Sequence, residues 1–164
     1  MSFVKDLALW KSAEKIFAKY LLDYPDFISL EIPDGKFKDY DIKLTTKTKE
    51  ITYEVKSDTM APRTGNFVIE TRFKWEPSGI YASKCDYVVY NVKWERWIQS
   101  RAELILRLIE TEKRVTKWWD GRQSELYVIS CDELPNLFYP VNVNHNEETG
   151  QSDNWNSTEI SEWI

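Results

Sequence analysis

The sequence predicts an α/β fold in which a mixed β-sheet is flanked by helices. Three features of the 164-residue chain point to it. An N-terminal stretch without Gly or Pro has apolar residues at helical spacing, two later segments alternate apolar and polar residues as strands do, and a second helix opens at a capping box. We expect a single domain over residues 1–164, with a polar, acidic C-terminal segment from about residue 144.

The first predicted element is a helix over residues 4–22. Four apolar residues mark its buried stripe: Leu7, Trp10, Phe17 and Leu21. The missing member of that stripe is Glu14, and a glutamate facing a core is costly unless it is paired or binds something. Glu14 is therefore either a surface residue at the edge of the stripe or a third carboxylate aimed at the strands that follow.

Two strands are predicted next, over residues 37–44 and 51–57, with a polar loop over residues 46–49 between them. Each strand alternates apolar and polar residues, which is the period of a strand with one face in a core. A four-residue loop suits a hairpin. The polar faces of the two strands then lie on the same side of the sheet.

The register of this hairpin brings two carboxylates together. If Thr45 pairs with Glu50, Asp41 falls opposite Glu54. Directly opposed side chains have Cβ atoms roughly 4.5–5.5 Å apart, so like charges there repel unless a divalent cation lies between them. The face that also carries Lys56 is either an ordinary solvated surface with weak ion pairs or a metal site.

The order of these features resembles the PD-(D/E)XK phosphodiesterase superfamily, and is similar to its Holliday-junction-resolvase-like members and small phage nucleases. The shared pattern is an acidic residue on the first helix, an Asp on a strand, and Glu-x-Lys on the next strand. The resemblance extends over residues 4–135. It implies a restriction-endonuclease-like core with the element order αβββαβ.

Carried over by position, the resemblance makes Asp41 the motif aspartate, Glu54 the motif acid and Lys56 the motif lysine. Glu14 matches the helix-one glutamate of the resolvase-like branch. The chain departs from the superfamily pattern at Tyr40, where a Pro commonly precedes the aspartate.

The resemblance also implies cleavage of phosphodiester bonds with Mg²⁺ or Mn²⁺. Hard oxygen donors select these ions, and we expect Asp41, Glu54 and the Val55 carbonyl to hold one. Glu14 would hold a second ion or orient a water. Lys56 would position the attacking water or help deprotonate it, and would neutralise the phosphate.

Further candidate residues surround the hairpin. Glu70, on a strand predicted over residues 66–73, is either an extra ligand or a salt-bridge partner of Arg72 or Arg63, while Lys84 faces either phosphate or water. The hairpin register also sets Asp39 opposite Lys56. Four basic residues are expected to contact nucleic acid: Lys36, Lys38, Lys43 and Arg63. The alternative is that lysines of this region, namely Lys36, Lys38, Lys47 and Lys49, only solubilise the turns.

The remaining elements follow from the same patterns. We expect a short helix over residues 80–84 and a helix that begins at the Ser100 capping box and ends near Lys113. Three further strands are predicted, over residues 85–92, 94–99 and 125–130.

Net charge alone argues against a nucleic-acid enzyme, but its distribution does not. The chain carries a charge of −5, yet residues 36–84 hold ten Lys and Arg against seven Asp and Glu. Residues 120–164 hold one against nine. The acidity is thus concentrated near the C-terminus, and a basic face can still track phosphates.

Composition limits the other classes of function. No stretch approaches the roughly 20 apolar residues of a membrane span, and the N-terminus does not resemble a signal peptide. Two cysteines without a CxxC pair, together with one histidine, argue against a structural zinc site. We expect no membrane partner and a cytoplasmic location, in a bacterial or phage-infected cell.

Three functions remain open. The first is a metal-dependent DNA endonuclease, structure-selective like a resolvase or associated with a phage or mobile element, with RNA not excluded as substrate. The second is a catalytically inactive nuclease-fold module that binds nucleic acid or a protein. The third is a non-catalytic interaction protein. Homodimerisation is also open, because resolvases cut as dimers and exposed aromatic residues can supply an interface.

Overall fold

The computed structural model describes residues 13–34, 39–58, 61–93, 96–112, 115–117 and 123–141. Several sequence predictions lie outside the described residues. These are Lys36, Lys38, the N-terminal part of the first helix, and the acidic segment from about residue 144.

The described residues form strands more often than helices. Within the described residues, helix α1 covers residues 13–21, α2 (Ala61–Thr64) is one turn, and α3 (Ala102–Glu112) has 11 residues. The strands are β1 (Phe27–Glu31), β2 (Ile42–Thr46), β3 (Glu50–Ser57), β4 (Asn66–Phe73), β5 (Glu76–Pro77), β6 (Tyr87–Lys93), β7 (Arg96–Arg101), β8 (Val115–Lys117), β9 (Ser124–Ser130) and β10 (Tyr139–Pro140). Two 3₁₀ turns lie at Gly79–Tyr81 and Leu134–Asn136.

The strands form two sheets. The larger has six strands in the order β1-β2-β3-β6-β7-β10, and the smaller has four in the order β5-β4-β9-β8. In the larger sheet β3 and β6 are parallel, whereas its other neighbouring strands are antiparallel. A mixed sheet in an α/β fold is therefore confirmed.

The parallel strands β3 and β6 are joined through the smaller sheet. Parallel neighbours need a crossover of a dozen residues or more, usually through a helix. Here the chain leaves β3, makes the single turn α2, and builds the β4–β5 hairpin of the smaller sheet before it returns as β6. The crossover is thus made mainly of strands, and it includes the strand predicted over residues 66–73.

Each face of the larger sheet has its own apolar core. On one face α1 places Phe17 and Leu21 against side chains such as Ile42, Tyr53 and Val55. The opposite face packs against the smaller sheet and α3. That second core includes six buried residues from these three layers: Phe67, Ile69, Val88, Tyr90, Ile105 and Tyr127.

Strand alternation decides which residues lie between the sheets. Because Tyr53 and Val55 face α1, the intervening Glu54 and the following Lys56 point toward the smaller sheet. The pairing of β3 with β6 agrees, since Glu54 aligns with Val88 of the second core. Glu54 on the polar face of the hairpin therefore lies in a covered space between two layers.

Several element predictions need correction. The predicted capping box is wrong: Ser100 lies in β7, aligned with Val88, and its buried hydroxyl has no hydrogen-bond partner among the described residues. Helix α3 instead follows β7 directly, and Glu103 pairs with Arg107 one turn on. The predicted helix over residues 80–84 is the 3₁₀ turn, and β1 was not predicted.

No described helix is long and apolar enough to span a membrane.

Candidate metal and catalytic site

The β2–β3 hairpin has the register that the sequence predicts. Thr45 pairs with Glu50 and Ile42 with Tyr53. Asp41 lies one residue before β2 and continues the pairing, because its backbone N–H donates to the Tyr53 carbonyl at 2.8 Å. The carboxylate of Asp41 is consequently set beside β3 at the level of Glu54.

A second hydrogen bond fixes the orientation of Asp41. Its Oδ2 accepts from the backbone N–H of Val55 at 2.8 Å. A carboxylate held by a main-chain donor on a central strand has little rotational freedom. Because a backbone N–H holds Oδ2, the position of the other oxygen, Oδ1, is fixed as well.

Glu54 is a buried carboxylate. The residue is 8% exposed, and its Oε1 accepts a hydrogen bond from the ammonium of Lys56 at 2.5 Å. Lys56 follows two positions later on the same strand face, and about a third of its side chain is exposed. The lysine therefore links the buried acid to the accessible part of the site.

The charges of the site act strongly on one another. Burial, the charge of Glu54 and that of Glu14 raise the pKa of Asp41 to about 6, against the opposing effects of Lys56 and the Val55 N–H. Burial lowers the pKa of Lys56, but the charges of Glu54 and Asp41 outweigh it and raise that pKa above its usual value. One lysine does not neutralise this set of carboxylates.

Glu14 is half-buried on α1, which packs on the opposite face of the larger sheet. Its negative charge still contributes to the raised pKa of Asp41. The helix thus brings a third carboxylate into electrostatic range of the hairpin.

Glu70 lies on β4 in the smaller sheet. Its carboxylate accepts hydrogen bonds from the hydroxyls of Ser78 at 2.5 Å and Ser124 at 3.3 Å. Arg72, one of its expected salt-bridge partners, pairs instead with Glu125 at 3.6 Å. The charge of Glu70 nevertheless reaches the site, because it contributes to the raised pKa of Lys56.

Lys84 and Asp39 pair with each other. The ammonium of Lys84 lies 3.0 Å from Asp39 Oδ2, and its backbone N–H donates to the Asp39 carbonyl. The expectation that Asp39 lies opposite Lys56 is therefore wrong. Strand β2 begins at Ile42, so Asp39 lies before the strand and is not paired with β3. It lies instead beside the loop that leads into β6.

Two of the expected nucleic-acid contacts fall in the described part of the chain. Lys43 forms an ion pair with Glu31 of β1 at 2.8 Å. Arg63 lies exposed on the single turn α2. The ion pair thus holds Lys43 at the edge of the larger sheet, whereas the side chain of Arg63 is exposed to solvent.

Two residues of this region were not predicted. Asp86 accepts hydrogen bonds from the backbone N–H and the hydroxyl of Thr52, so it fixes the loop before β6 to β3. Cys85 is buried, and burial raises the pKa of its thiol to about 11. The polar Asp86 directly before an apolar strand was the one sequence signal that could have indicated its role.

The donor set fits a hard divalent cation. Among the described residues, no three His, Cys, Asp or Glu side chains are grouped closely enough to hold a metal by themselves. Asp41 and Glu54 supply two carboxylates, and Mg²⁺ is commonly held by one or two carboxylates with waters and substrate phosphates completing the shell. The raised pKa of Asp41 also marks negative charge that a cation would stabilise.

Comparisons with known proteins leave the family open. No protein-family model matches the sequence. No curated protein matches it either. Among solved structures, the fold is similar to a bacterial homing endonuclease, I-Ssp6803I, with a TM-score of 0.48 and 14% identity over 92% of this chain and 84% of that one. A likeness this distant establishes neither a shared family nor a shared activity.

The electrostatics of Asp41 predict that removing its charge stabilises the fold. In Asp41→Asn the amide oxygen can still accept from the Val55 N–H, while repulsion with Glu54 disappears. We expect the free energy of unfolding at pH 7 in EDTA to rise by on the order of 1–3 kcal/mol. Urea unfolding measures it.

The same electrostatics predict how the free energy of unfolding changes with pH. The folded pKa of about 6 lies above the unfolded value. The contribution of Asp41 is therefore fully present below roughly pH 4 and is lost as pH rises through the folded pKa. Asp41→Asn should lack this loss. Asp39→Asn is the control, because its surface ion pair contributes only about 0–1 kcal/mol; an equal gain in both variants would contradict the assignment.

Proposed function

We propose that this protein is a metal-dependent nuclease that hydrolyses phosphodiester bonds of DNA. The observation that carries the proposal is the buried carboxylate of Glu54, which lies on one sheet face with Asp41 and Lys56. Burial and the charge of Glu54 raise the pKa of Asp41, so ionisation of Asp41 weakens the fold. Such groups concentrate where chemistry requires them.

Asp41, Glu54 and the Val55 carbonyl would hold Mg²⁺ or Mn²⁺, and Glu14 would orient a water or hold a second ion. When bound, the ion would activate a water and stabilise negative charge on the phosphate. Asp41 is suited to this role because the Val55 N–H fixes one of its oxygens. Glu54 is suited to it because burial excludes competing water.

Lys56 is proposed to act as a fixed cation. Its raised pKa keeps the ammonium protonated at neutral pH, so it is poorly suited to take a proton from water. Its hydrogen bond to Glu54 holds it at the accessible end of the carboxylate pair. There it can donate to a phosphate oxygen and stabilise the charge that develops as the bond breaks.

Membership of the PD-(D/E)XK superfamily is part of this proposal. Supporting features are helix α1 on one face of the sheet, the acidic β2–β3 hairpin, and the return of β6 parallel to β3. We place the protein in the cytoplasm of a bacterial or phage-infected cell. Structure-selective cleavage by a homodimer and action on RNA are variants of the same proposal.

A second candidate is a nuclease-fold module that binds nucleic acid or a protein without cutting. One observation favours it: the Lys56 ammonium lies against Glu54, in the position where a cation would otherwise neutralise that carboxylate. In an active enzyme this contact must open or be shared with the ion.

Replacing Glu54 by Gln should abolish cleavage. Glu54→Gln keeps the shape of the side chain but removes the charge, and we expect at least about a hundredfold loss of nicking. The assay is a panel of supercoiled, linear, nicked and four-way DNA with Mg²⁺ or Mn²⁺. Glu50→Gln is the matched control, because Glu50 is an exposed residue of the same strand. Wild-type cutting by Glu54→Gln would rule out the assignment.

Substitutions at Lys56 should separate a cation from a proton acceptor. Lys56→Arg keeps the positive charge and should retain measurable cleavage, whereas Lys56→Met should lose about a hundredfold or more. Lys49→Met, at the exposed end of the hairpin, is the control. Equal loss in the Arg and Met variants, with thermal stability maintained, would argue against the fixed-cation role.

Binding of Mn²⁺ should depend on the protonation of Asp41. A proton and the ion compete for this carboxylate, so affinity should fall by about tenfold per pH unit below the pKa of Asp41. Calorimetry from pH 5 to pH 8 measures this slope, with Glu50→Gln as control. Absence of binding at pH 8, with and without DNA, would favour the non-cutting module.

A further inference from the structure

The hairpin between β4 and β5 presents a tryptophan at its tip. Phe73 pairs with Glu76, which leaves Lys74 and Trp75 as a two-residue loop. Trp75 is 67% exposed, more than any other large apolar side chain in the described part of the chain. Exposure of an indole at a loop tip does nothing for the core of the fold.

The backbone of this tip is strained. Lys74 has a φ of 49° and Trp75 a φ of 72°, and positive φ at both central residues is typical of a type I′ turn. Such turns favour Asn and Gly, because a bulky side chain at positive φ clashes with its own backbone. A tryptophan here costs stability, which suggests a role other than folding.

Neighbouring residues hold the strained turn in place. Arg72 donates to the Trp75 carbonyl at 3.4 Å and pairs with Glu125 at 3.6 Å. The backbone N–H of Lys74 donates to the Gln123 carbonyl at 3.1 Å. The indole is thus carried on a fixed base, which lowers the entropy lost when it binds a partner.

We propose that Trp75 is a stacking platform for an unpaired nucleobase of the substrate. Next to it lie Phe73, which is 39% exposed, and Lys74, whose ammonium is 5.4 Å from the Phe73 ring centroid. Aromatic faces for bases together with a cation for the phosphate are the composition of sites that bind single strands. This inference rests on the proposed action on nucleic acid.

Strand β4 connects the platform to the catalytic site. The charge of Glu70 acts on Lys56, and Trp75 follows Glu70 by five residues. The extended part of β4 from Glu70 to Phe73 spans about 10 Å, which corresponds to about three nucleotides at the spacing of stacked bases, and Trp75 lies in the turn that follows. A substrate cut near Lys56 can therefore place an unpaired base at Trp75 when the gap or distortion lies within that distance.

The test compares gapped and fully paired DNA of one length, with 2-aminopurine at the unpaired position and matching RNA substrates. Binding is measured with the full chain as Glu54→Gln protein and as wild type in EDTA, so that cleavage does not interfere. We expect Trp75→Ala to reduce the preference for gapped over paired substrate by about tenfold. Trp75→Phe should keep most of it and still quench the 2-aminopurine fluorescence.

A second variant separates binding from folding. Replacing Lys74 by Asn together with Trp75 by Gly supplies the residues that a type I′ turn prefers. We expect its Tm to rise by about 2–4 °C while the preference for gapped substrate is lost. A structural role for Trp75 would instead lower Tm in both this variant and Trp75→Ala.

The outcomes also separate this inference from the proposed function. Cleavage by wild type together with an unchanged preference in Trp75→Ala would overturn the platform and leave the nuclease standing. Loss of preference in Trp75→Ala without any cleavage by wild type would support the platform in a non-cutting module. No preference for unpaired DNA or RNA in the wild type would overturn it.

Discussion

Burial of Glu54 between two sheets is the constraint on which the candidate site depends. The residues on either side of it, Tyr53 and Val55, belong to the core under α1. Because side chains alternate along a strand, Glu54 faces the smaller sheet. A slip of one residue in the β2–β3 pairing would reverse every side chain of β3 and bury Lys56 under the helix. The apolar core therefore fixes the geometry of the acidic site.

The smaller sheet then determines how that face is covered. Phe67 and Ile69 of β4 pack into the core beside Val88 and Tyr90, the residues aligned with Glu54 and Lys56. A full crossover helix would have presented a convex surface here. A strand layer presents alternating side chains instead, which lets β4 bury Ile69 while Glu70 stays bound to two serines and acts electrostatically on Lys56.

The features that the sequence predicted correctly are those that depend on residues close together in the chain. The hairpin register followed from alternation and loop length, and strand β4 was predicted with its observed bounds. What failed depends on contacts distant in sequence. Alternation does not say which of two sheets β4 joins, Ser100 has the spacing of a cap but is taken up by pairing with Val88, and edge strand β1 lacks regular alternation. The partner of Lys84 was hidden for the same reason.

Two places in the structure break local rules. At the first place, Lys56 offsets the charge of Glu54, but burial and the charge of Glu54 still raise the pKa of Asp41. At the other, Trp75 occupies a backbone conformation suited to glycine. An uncharged residue at position 41 would remove the repulsion with Glu54, and Asn and Gly would suit the backbone at positions 74 and 75. Such local conflicts occur mainly where function requires them, which is why the proposed metal site and the proposed base platform were placed at these two positions.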